Sequence, residues 1–338
     1  MKKVLIIAEA GVNHNGDFEL AKKMVDIAFE AGADIIKFQT AIPELVMSNT
    51  APKAEYQNNN TGIEESQLEM SKKIHLPLTA YKELKIYCEE VGIKFLSTPF
   101  DHVSIDLLSD LGQDIFKIPS GEITNLPYLK KVANLNTKII ISTGMSNLSE
   151  IEFALDILVQ NGSTLDNIIV LHCNTDYPSP YEDVNLLAMN TIKNAFGVRV
   201  GYSDHTPGIE VPIAAVALGA EVIEKHFTLD KKMAGPDHLA SLNPRELREM
   251  IIAIRNIEIA LGSGRKIPTP SESKNLNIAR RSIHLLNSIQ EGTILNEAHL
   301  IMKRPGNGIS PVLINNIIGK KLKKSFPKDH MLTFDDFF

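Results

Sequence analysis

The segment RVGYSDHTPGIEVPIAAVALGAEVIEKHFT, residues 199–228, contains one complete strand–helix–strand unit. Its apolar runs predict strands over Arg199–Ser203 and Glu221–Lys225, with a helix over Ile209–Ala217 between them. Two strands joined by a crossover helix are parallel, so their carboxyl ends lie on the same edge of the sheet. A histidine follows or closes each strand at that edge. The segment therefore predicts a parallel α/β fold with polar groups gathered on one rim.

The same alternation recurs from Val4 to Gly262. Amphipathic stretches, several of which end at glycine, separate eight short apolar runs. The predicted strands are Val4–Ala8, Ile35–Gln39, Lys94–Ser97, Ile115–Ile118, Lys138–Ser142, Ile168–His172, Arg199–Ser203 and Glu221–Lys225. Eight such units predict a (β/α)8 TIM barrel over residues 1–262. A doubly wound open sheet is the alternative, but no Gly-rich dinucleotide fingerprint follows the first strand.

Composition excludes several classes of protein. The 338 residues are 43% hydrophobic and 22% charged with a net charge of -6, so the overall electrostatic pattern of a nucleic-acid-binding protein is absent. No apolar segment is long enough to cross a bilayer. The apolar run near the start ends at Glu9 and resembles a core strand more than a signal peptide. Cys88 and Cys173 are far apart and give no disulfide framework, so we expect a cytoplasmic protein.

The last part of the chain has a different character. Residues 263–280 have the Gly, Pro and Ser content of a linker, and closely spaced turn signals predict a small β-rich domain over residues 281–338. From Ser271 onward, ten Lys and Arg residues stand against six Asp and Glu residues, whereas the first 270 residues are acidic. The asymmetry predicts a second domain with a separate role. One long connection, from Pro43 to Ile74, predicts a functional loop in the barrel.

Polar residues at the predicted strand ends indicate an anion site. Lys37 and Lys117 lie in or at the ends of strands, where a buried lysine is unfavourable unless an anion meets it. With the nearby hydroxyls they form a nest for the phosphate and carboxylate of one small ligand; these hydroxyls belong to Thr98, Ser120, Ser142 and Ser203. The alternative is an internal ion-pair ring with acidic residues of the same rim, namely Glu9, Glu122 and Glu224.

His205 and His226 belong to adjacent strand ends and suit a divalent metal, although two such histidines are often purely structural. Two neutral imidazoles leave coordination positions open for water and a substrate oxygen, as Lewis-acid activation of a carbonyl requires. The sequence lacks the motifs of common hydrolase families, namely His-x-His, His-Glu-x-x-His, Gly-x-Ser-x-Gly and the Walker A loop. His172 is expected to be a core histidine.

An ordered set of motifs resembles the sialic acid synthase family from about residue 4 to 335. The motifs are Ala8-Glu-Ala-Gly-Val-Asn-His-Asn-Gly16, Lys37-Phe-Gln-Thr40, Ser97-Thr-Pro-Phe100, Lys117-Ile-Pro-Ser-Gly-Glu122, Ser142-Thr-Gly-Met145, Ser203-Asp-His-Thr206, Glu224-Lys-His-Phe-Thr228, Gly235-Pro-Asp237 and Lys303-Arg-Pro-Gly-Asn-Gly308. The resemblance implies a TIM barrel followed by an antifreeze-like (SAF) domain, in a domain-swapped homodimer. It also implies condensation of phosphoenolpyruvate with the open-chain aldehyde of an N-acetylated hexosamine, which releases phosphate and forms a nine-carbon 2-keto acid.

The resemblance also implies roles for individual residues. His205 and His226 would hold Mn2+, which polarises the aldehyde. Phosphoenolpyruvate would be bound by Lys37, Thr98, Lys117, Ser120, Ser142 and Ser203. The sugar would be bound by Glu9, Asn60, Tyr177, Asp237 and an Arg304 that comes from the partner subunit. The implied catalytic residues are Glu9, Lys117 and Glu122, the last as the group that positions or deprotonates the attacking water.

Three kinds of function follow from this resemblance. The first expectation is an N-acetylneuraminate synthase that uses N-acetylmannosamine. The alternative is an N,N'-diacetyllegionaminate synthase that uses a 2,4-diacetamido-2,4,6-trideoxyhexose. A non-catalytic sugar-binding protein would have no need for Glu9, Lys37, Lys117 and both histidines on one rim.

Overall fold

The computed structural model describes residues 3–62 and 64–338. These residues divide into two compact units, one that ends at Ser263 and a second that begins at Gly264. In the first unit, eight parallel strands form one sheet in the order β3-β2-β1-β8-β7-β6-β5-β4. They are β1 Leu5–Gly11, β2 Ile35–Thr40, β3 Lys94–Pro99, β4 Ile115–Ile118, β5 Lys138–Ser142, β6 Ile168–Cys173, β7 Arg199–Asp204 and β8 Val222–His226. The outer strands β3 and β4 also lie against each other, so the sheet curves into a TIM-like barrel. This confirms the predicted architecture.

Eleven helices of the described residues accompany these strands. They are α1 Phe18–Ala31, α2 Pro43–Val46, α3 Glu55–Thr61, α4 Gln67–Ile74, α5 Ala80–Val91, α6 His102–Asp110, α7 Leu126–Ala133, α8 Leu148–Gln160, α9 Leu187–Phe196, α10 Glu210–Ala217 and α11 Pro244–Leu261. Local sequence explains their ends. At α11, Asn243 Oδ1 accepts from the Glu246 amide at 2.9 Å, and Glu246 Oε2 accepts from the Asn243 amide at 2.8 Å. Such a capping box contributes about 1 kcal/mol.

The connection between β2 and α5 differs from its prediction as one long loop. It contains the three short helices α2, α3 and α4. Helix α4 begins at a capping box, in which Ser66 Oγ accepts from the Glu69 amide at 3.2 Å and Glu69 Oε2 accepts from the Ser66 amide at 2.9 Å. Backbone groups of a loop this long need partners, and short helices supply them locally.

Two apolar layers hold the barrel together. The inner layer fills the barrel with branched side chains, namely Ile7, Ile35, Leu96, Ile115, Ile140, Ile169, Leu171 and Val222. The outer layer packs the opposite strand faces against the helices. Because both strand faces are buried, the strands are nearly continuous apolar runs. Gly201 has no space for a side chain, since a Cβ there would lie 2.5 Å from Val222 O and 2.6 Å from Leu171 Cδ2.

The second unit has a small core of its own. It contains α12 Pro270–Ser273, α13 Leu276–Ala279 and the antiparallel pair β9 Ser282–Leu285 and β10 Leu300–Lys303. Isolated bridges such as Ile289 with Phe326 extend the pairing. The unit is therefore built from short extended segments and turns, as the β-rich prediction requires. Across both units, no described helix combines the length and apolar character that a membrane crossing needs.

Candidate active site

A cavity of about 280 Å³ lies at the carboxyl ends of the barrel strands. Eleven of the predicted site residues line it, although they are distant in sequence. They are Glu9, Lys37, Thr98, Lys117, Ser120, Ser142, Tyr177, Ser203, His205, His226 and Asp237. Parallel strands bring these residues together because every strand ends on the same rim.

Lys37 on β2 is buried between two carboxylates. Its Nζ lies 3.1 Å from Glu9 Oε2 and 3.1 Å from Glu224 Oε2, and it donates to Thr98 Oγ1 at 3.2 Å. The strand register accounts for this arrangement, since Glu9 on β1 pairs with Lys37 on one side and with His226 on the other.

Lys117 on β4 approaches the same carboxylate from the opposite side of the barrel. Its Nζ donates to Ser142 Oγ at 2.7 Å and lies 3.7 Å from Glu224 Oε1. Ser203 Oγ also donates to Glu224 Oε1, at 3.0 Å. Glu224 therefore links both lysines. The ion-pair cluster that we considered as the alternative forms within the wall of the cavity with Glu9 and Glu224, but Glu122 is not part of it among the described residues.

The charges of this cluster favour an anion. Burial raises the pKa of Glu9 against the opposing effect of Lys37. Burial also acts to raise the pKa of Glu224, but Lys117 and Lys37 outweigh it and the pKa falls below its usual range. Two lysines therefore face one ionised carboxylate at neutral pH. Burial lowers the pKa of Lys117, and a bound anion nearby would raise it again.

Gly144 follows β5 beside the cavity and fits closely against its neighbours. A Cβ there would lie 2.4 Å from Thr175 Cγ2 and 2.9 Å from Ser120 Oγ. The Gly144 amide donates to Ser120 Oγ at 3.0 Å, which fixes that hydroxyl at the cavity wall. A glycine is therefore required where the Ser142-Thr-Gly144 turn passes the predicted anion site.

His205 and His226 lie side by side with ring centroids 5.4 Å apart. His205 Nδ1 is 2.6 Å from Asn174 O, so it donates there and leaves Nε2 as an acceptor. His226 Nδ1 is buried without a hydrogen-bond partner among the described residues. Burial lowers the pKa of His205 to about 4 and holds the pKa of His226 well below its usual range, which keeps both rings neutral.

Neutral imidazoles with free nitrogens fit a metal ion. Among residues 3–62 and 64–338, no group of three or more His, Cys, Asp or Glu side chains is arranged to hold one. A metal held by His205 and His226 would therefore take its remaining ligands from substrate and water.

An aromatic wall stands beside the two histidines. The Tyr177 ring centroid lies 4.0 Å from that of His205 and 5.5 Å from that of His226, and Tyr56 from α3 stacks on Tyr177 at 5.0 Å. Asp237 also lines this part of the cavity, and burial raises its pKa to about 7. Aromatic rings offer apolar surface to acetyl methyl groups, and a partly protonated carboxyl can exchange hydrogen bonds with hydroxyl groups. Together they suit a polyhydroxylated ligand with acetyl groups.

Comparison with known proteins identifies the family. Residues 24–266 match the NeuB family, and residues 280–337 match the SAF domain. The chain belongs to the NeuB family. Several of its relatives are named as synthases of nonulosonic acids, and the chain is an enzyme of this nonulosonate synthase family. The resemblance seen in the sequence motifs is thereby confirmed.

Two curated NeuB-family relatives and one solved structure are especially similar. The N,N'-diacetyllegionaminic acid synthase of Campylobacter jejuni is 55% identical over 98% of this chain and 99% of its own length. The synthase of the same name from Legionella pneumophila is 48% identical over 94% of this chain and 90% of its own length. The crystal structure of N-acetylneuraminic acid synthetase from Leptospira borgpetersenii matches with a TM-score of 0.70 and 36% identity, over 81% of this chain and 90% of that one.

Three predicted site residues of this NeuB-family enzyme lie outside the lining of the cavity. Asn60 Nδ2 donates to Pro236 O at 2.6 Å, so it contacts the segment next to Asp237. Glu122 Oε2 accepts from Asn125 Nδ2 at 2.5 Å. Arg304 is exposed in the second unit, where its Nε donates to Ala279 O at 3.0 Å. The roles predicted for these three residues stay predictions.

Among the cavity residues that were not predicted as site residues, Glu224 and Tyr56 contact predicted ones directly. Glu224 was considered only as an ion-pair partner, although it stands two residues before His226 and therefore shares its strand face. That alternation was a usable signal. Tyr56 lies in the segment predicted as one long functional loop, and that prediction does not indicate which of its side chains stacks on Tyr177.

Proposed function

We propose that this NeuB-family enzyme is an N,N'-diacetyllegionaminate synthase, which condenses phosphoenolpyruvate with a 2,4-diacetamido-2,4,6-trideoxyhexose. One observation carries the choice of product, namely the 55% identity over nearly the whole length of both chains with a relative of that name. The N-acetylneuraminic acid synthetase structure is only 36% identical. N-acetylneuraminate formation, our first expectation, therefore becomes the second candidate.

Charge in the cavity supports phosphoenolpyruvate as the shared substrate. Lys37 and Lys117 would hold its phosphate and carboxylate, assisted by the hydroxyls of Thr98, Ser120, Ser142 and Ser203. Charged donors aimed at an anion inside a buried site are strongly favourable because water does not screen them. Glu224, which lines the same cavity, keeps the two ammonium groups in place, since it contacts both.

Apolar side chains in the same cavity support a deoxy sugar. Met47, Met70 and Ile74 from the segment between β2 and α5 line it. A methyl group at C6 and the methyl of a second acetamido group are better matched by these side chains than hydroxyl groups are. Each methyl or methylene in such a site contributes about 1–3 kcal/mol to discrimination.

The reaction forms one carbon–carbon bond and releases phosphate. C3 of phosphoenolpyruvate bonds to the aldehyde carbon of the sugar, and the bond between C2 and the phosphate oxygen breaks. One water supplies the ketone oxygen at C2, and its two protons go to the new hydroxyl and to the departing phosphate. Glu122 is proposed to position this water, and Lys117 to stabilise the phosphate charge.

The sugar is proposed to lie against Glu9, Tyr177 and Asp237, with Asn60 supporting the segment before Asp237. Glu9, whose pKa burial raises, would donate a proton or hydrogen bond to a sugar oxygen. His205 and His226 would hold a divalent metal, for which we propose Mn2+. When bound there, such an ion withdraws electron density from a carbonyl oxygen.

The assembly and the compartment belong to the same proposal. Arg304 of the partner subunit would reach the sugar in a domain-swapped homodimer, so the basic second unit would complete the site. Neither Cys88 nor Cys173 forms a disulfide, which suits the reducing cytoplasm.

The test is phosphate release from phosphoenolpyruvate with each of two acceptor sugars. Metal-loaded protein is given the 2,4-diacetamido-2,4,6-trideoxyhexose or N-acetylmannosamine, and the product is identified by mass. We expect Mn2+-dependent turnover with kcat/KM at least about tenfold higher for the diacetamido sugar, which equals about 1.4 kcal/mol. A preference for N-acetylmannosamine would reverse the choice of product. Turnover unaffected by chelation would remove the metal.

A further inference from the structure

A buried ion pair lies directly behind the two histidines. Asp204 immediately precedes His205 on β7, and Lys225 immediately precedes His226 on β8. Side chains alternate between the two faces of a strand, so this pair points away from the face that carries Ser203 and Glu224. The two residues are register partners in the β7–β8 ladder. The pair is therefore the last cross-strand link before both histidines.

Asp204 and Lys225 contact each other and Thr206, and all of these contacts are buried. Lys225 Nζ lies 2.5 Å from Asp204 Oδ2 and also donates to Thr206 O. The Thr206 amide and hydroxyl donate back to Asp204 Oδ1 at 3.1 Å and 3.0 Å. Both Asp204 and Lys225 are 0% exposed. Neither side chain lines the cavity, so neither is available to substrate.

A pair of this kind is a poor source of stability. Desolvation of two charges cancels much of their attraction, and well-packed apolar residues of similar size often serve equally well. What the ion pair does supply is geometry, because its short contacts join the end of β8 to the backbone turn that carries His205. Buried polar links of this sort fix register where apolar packing would tolerate small shifts.

The two histidines differ in how they are held. Asn174 O fixes the His205 ring, whereas His226 Nδ1 has no hydrogen-bond partner among the described residues. The surroundings of His226 are tight instead, since a Cβ on Gly11 would lie 3.2 Å from its Cε1. The position of His226 relative to His205 therefore depends on how β8 is joined to β7.

We propose that Asp204 and Lys225 are positioning residues that set the separation of His205 and His226 for a divalent metal. The proposal rests on the metal assignment made above. Loss of the pair should weaken metal binding while leaving the barrel folded. Outer contacts that orient metal ligands typically change metal affinity by about 10- to 100-fold.

The test compares two double variants in metal-free protein. Asp204→Leu with Lys225→Met removes the pair without leaving one charge buried alone. Asp34→Leu with Arg255→Met is the matched control, because that ion pair, at 2.7 Å, lies where β2 begins, at the opposite end of the strands. Thr206→Val is a milder third variant that removes only the hydroxyl donor to Asp204.

Mn2+ Kd by titration calorimetry and the thermal midpoint are measured for each protein. We expect the Asp204/Lys225 variant to raise the Mn2+ Kd by about 10- to 100-fold. Thr206→Val should give a smaller rise, and the control should keep the wild-type Kd even where its thermal midpoint falls. If the Asp204/Lys225 variant does not fold, Thr206→Val alone decides.

Two failures of the test are distinguishable. If the wild type binds Mn2+ at His205 and His226 but the variants bind it equally well, the positioning role is wrong and the proposed function stands. If the wild type does not bind Mn2+, or binds it equally well after His226→Ala, both the metal assignment and the positioning role are wrong.

Discussion

Single side chains set the chemistry of this site through their burial. Lys37 and Lys117 are almost fully buried, and the ionised Glu224 between them keeps both ammonium groups near the strand ends. A buried charge is costly unless it is matched, so this arrangement is favourable mainly when a further anion completes it. Asp237 represents the opposite case, a buried carboxyl that has no ion-pair partner among the described residues.

Lys117→Met should lower kcat for phosphate release by about 10²- to 10³-fold, since one charged donor to the developing phosphate is lost. Stability should stay the same or rise, because Glu224 keeps Lys37 as a partner and a buried charge is removed. The measurements are steady-state kinetics and urea unfolding. Lys138→Met, at the exposed start of β5, is the control. Activity within a few-fold of wild type would exclude Lys117 from the chemistry.

Asp237→Asn should reveal the cost of burying that carboxyl. Burial raises its pKa from 3.8 to about 7 in the folded protein, so wild-type stability is complete below about pH 4 and is lost as the pH rises through 7. The stability advantage of the Asn variant should therefore grow between pH 5 and pH 8, by on the order of 3 kcal/mol. Urea unfolding of metal-free protein at both pH values measures it.

Asp34→Asn supplies the contrasting control for that experiment. Although burial acts to raise the pKa of Asp34, Lys3, the Ile6 amide and Arg255 together lower it. This variant should lose stability relative to wild type, and the loss should persist at pH 8. A pH-independent difference for Asp237→Asn would show that Asp237 keeps an ordinary pKa.

The segment that contains α2, α3 and α4, between β2 and α5 in the chain, forms one side of the cavity. It contributes Met47, Tyr56, Met70 and Ile74 to the lining. The end of this segment packs directly against Gly16, where a Cβ would lie 2.6 Å from Lys73 O. The barrel strands thus carry the charged groups, and this segment carries the apolar surface on which sugar preference is proposed to depend.

Ile74→Asn should shift that preference. Replacing the half-buried isoleucine by an amide removes apolar contact, so kcat/KM for the diacetamido sugar should fall by about tenfold and that for N-acetylmannosamine by less. Competition between the two sugars measures the ratio directly. Ile86→Asn, on an exposed position of α5, is the control. Equal losses for both sugars would mean that Ile74 does not distinguish them.

The second unit differs from the barrel in its charge, which is basic, and it has a separate apolar core. It supplies the surplus of Lys and Arg, and Arg304 is exposed within it. Apart from Nε, which donates to Ala279 O, the guanidinium of Arg304 has no hydrogen-bond or ion-pair partner among the described residues and is free to contact a ligand. If Arg304 acts in the partner's active site, as proposed, two inactive variants should complement each other in a mixed dimer.

Arg304→Ala should lower kcat/KM for the sugar by about 10²-fold or more, with Arg281→Ala as the control. Coexpression with Lys117→Met then tests the dimer. In a purified heterodimer, the intact barrel of the Arg304→Ala subunit receives Arg304 from the other subunit, so about half of the wild-type activity should return. A heterodimer as inactive as either parent would mean that Arg304 acts within its own subunit.

Much of the fold follows from local sequence. Strands β4 and β5 agree with their predicted ends, because apolar runs and glycine stops define them. Strand β8 is predicted as Glu221–Lys225 but spans Val222–His226, one residue later at both ends, and His226 has a ladder partner in Glu9. That partner is more than 200 positions away, and no local pattern contains it.

Strand periodicity and the ordered family motifs are local patterns, so the sequence alone predicts the barrel, the rim on which its polar residues gather and eleven of the residues that line the cavity. The tertiary structure decided which charges meet. Glu224 joins both lysines, while Glu122 turns to Asn125. It also decided that Tyr56 stacks on Tyr177. Side-chain pairing across a barrel depends on register and packing between distant strands, and these are properties of the assembled fold rather than of any segment.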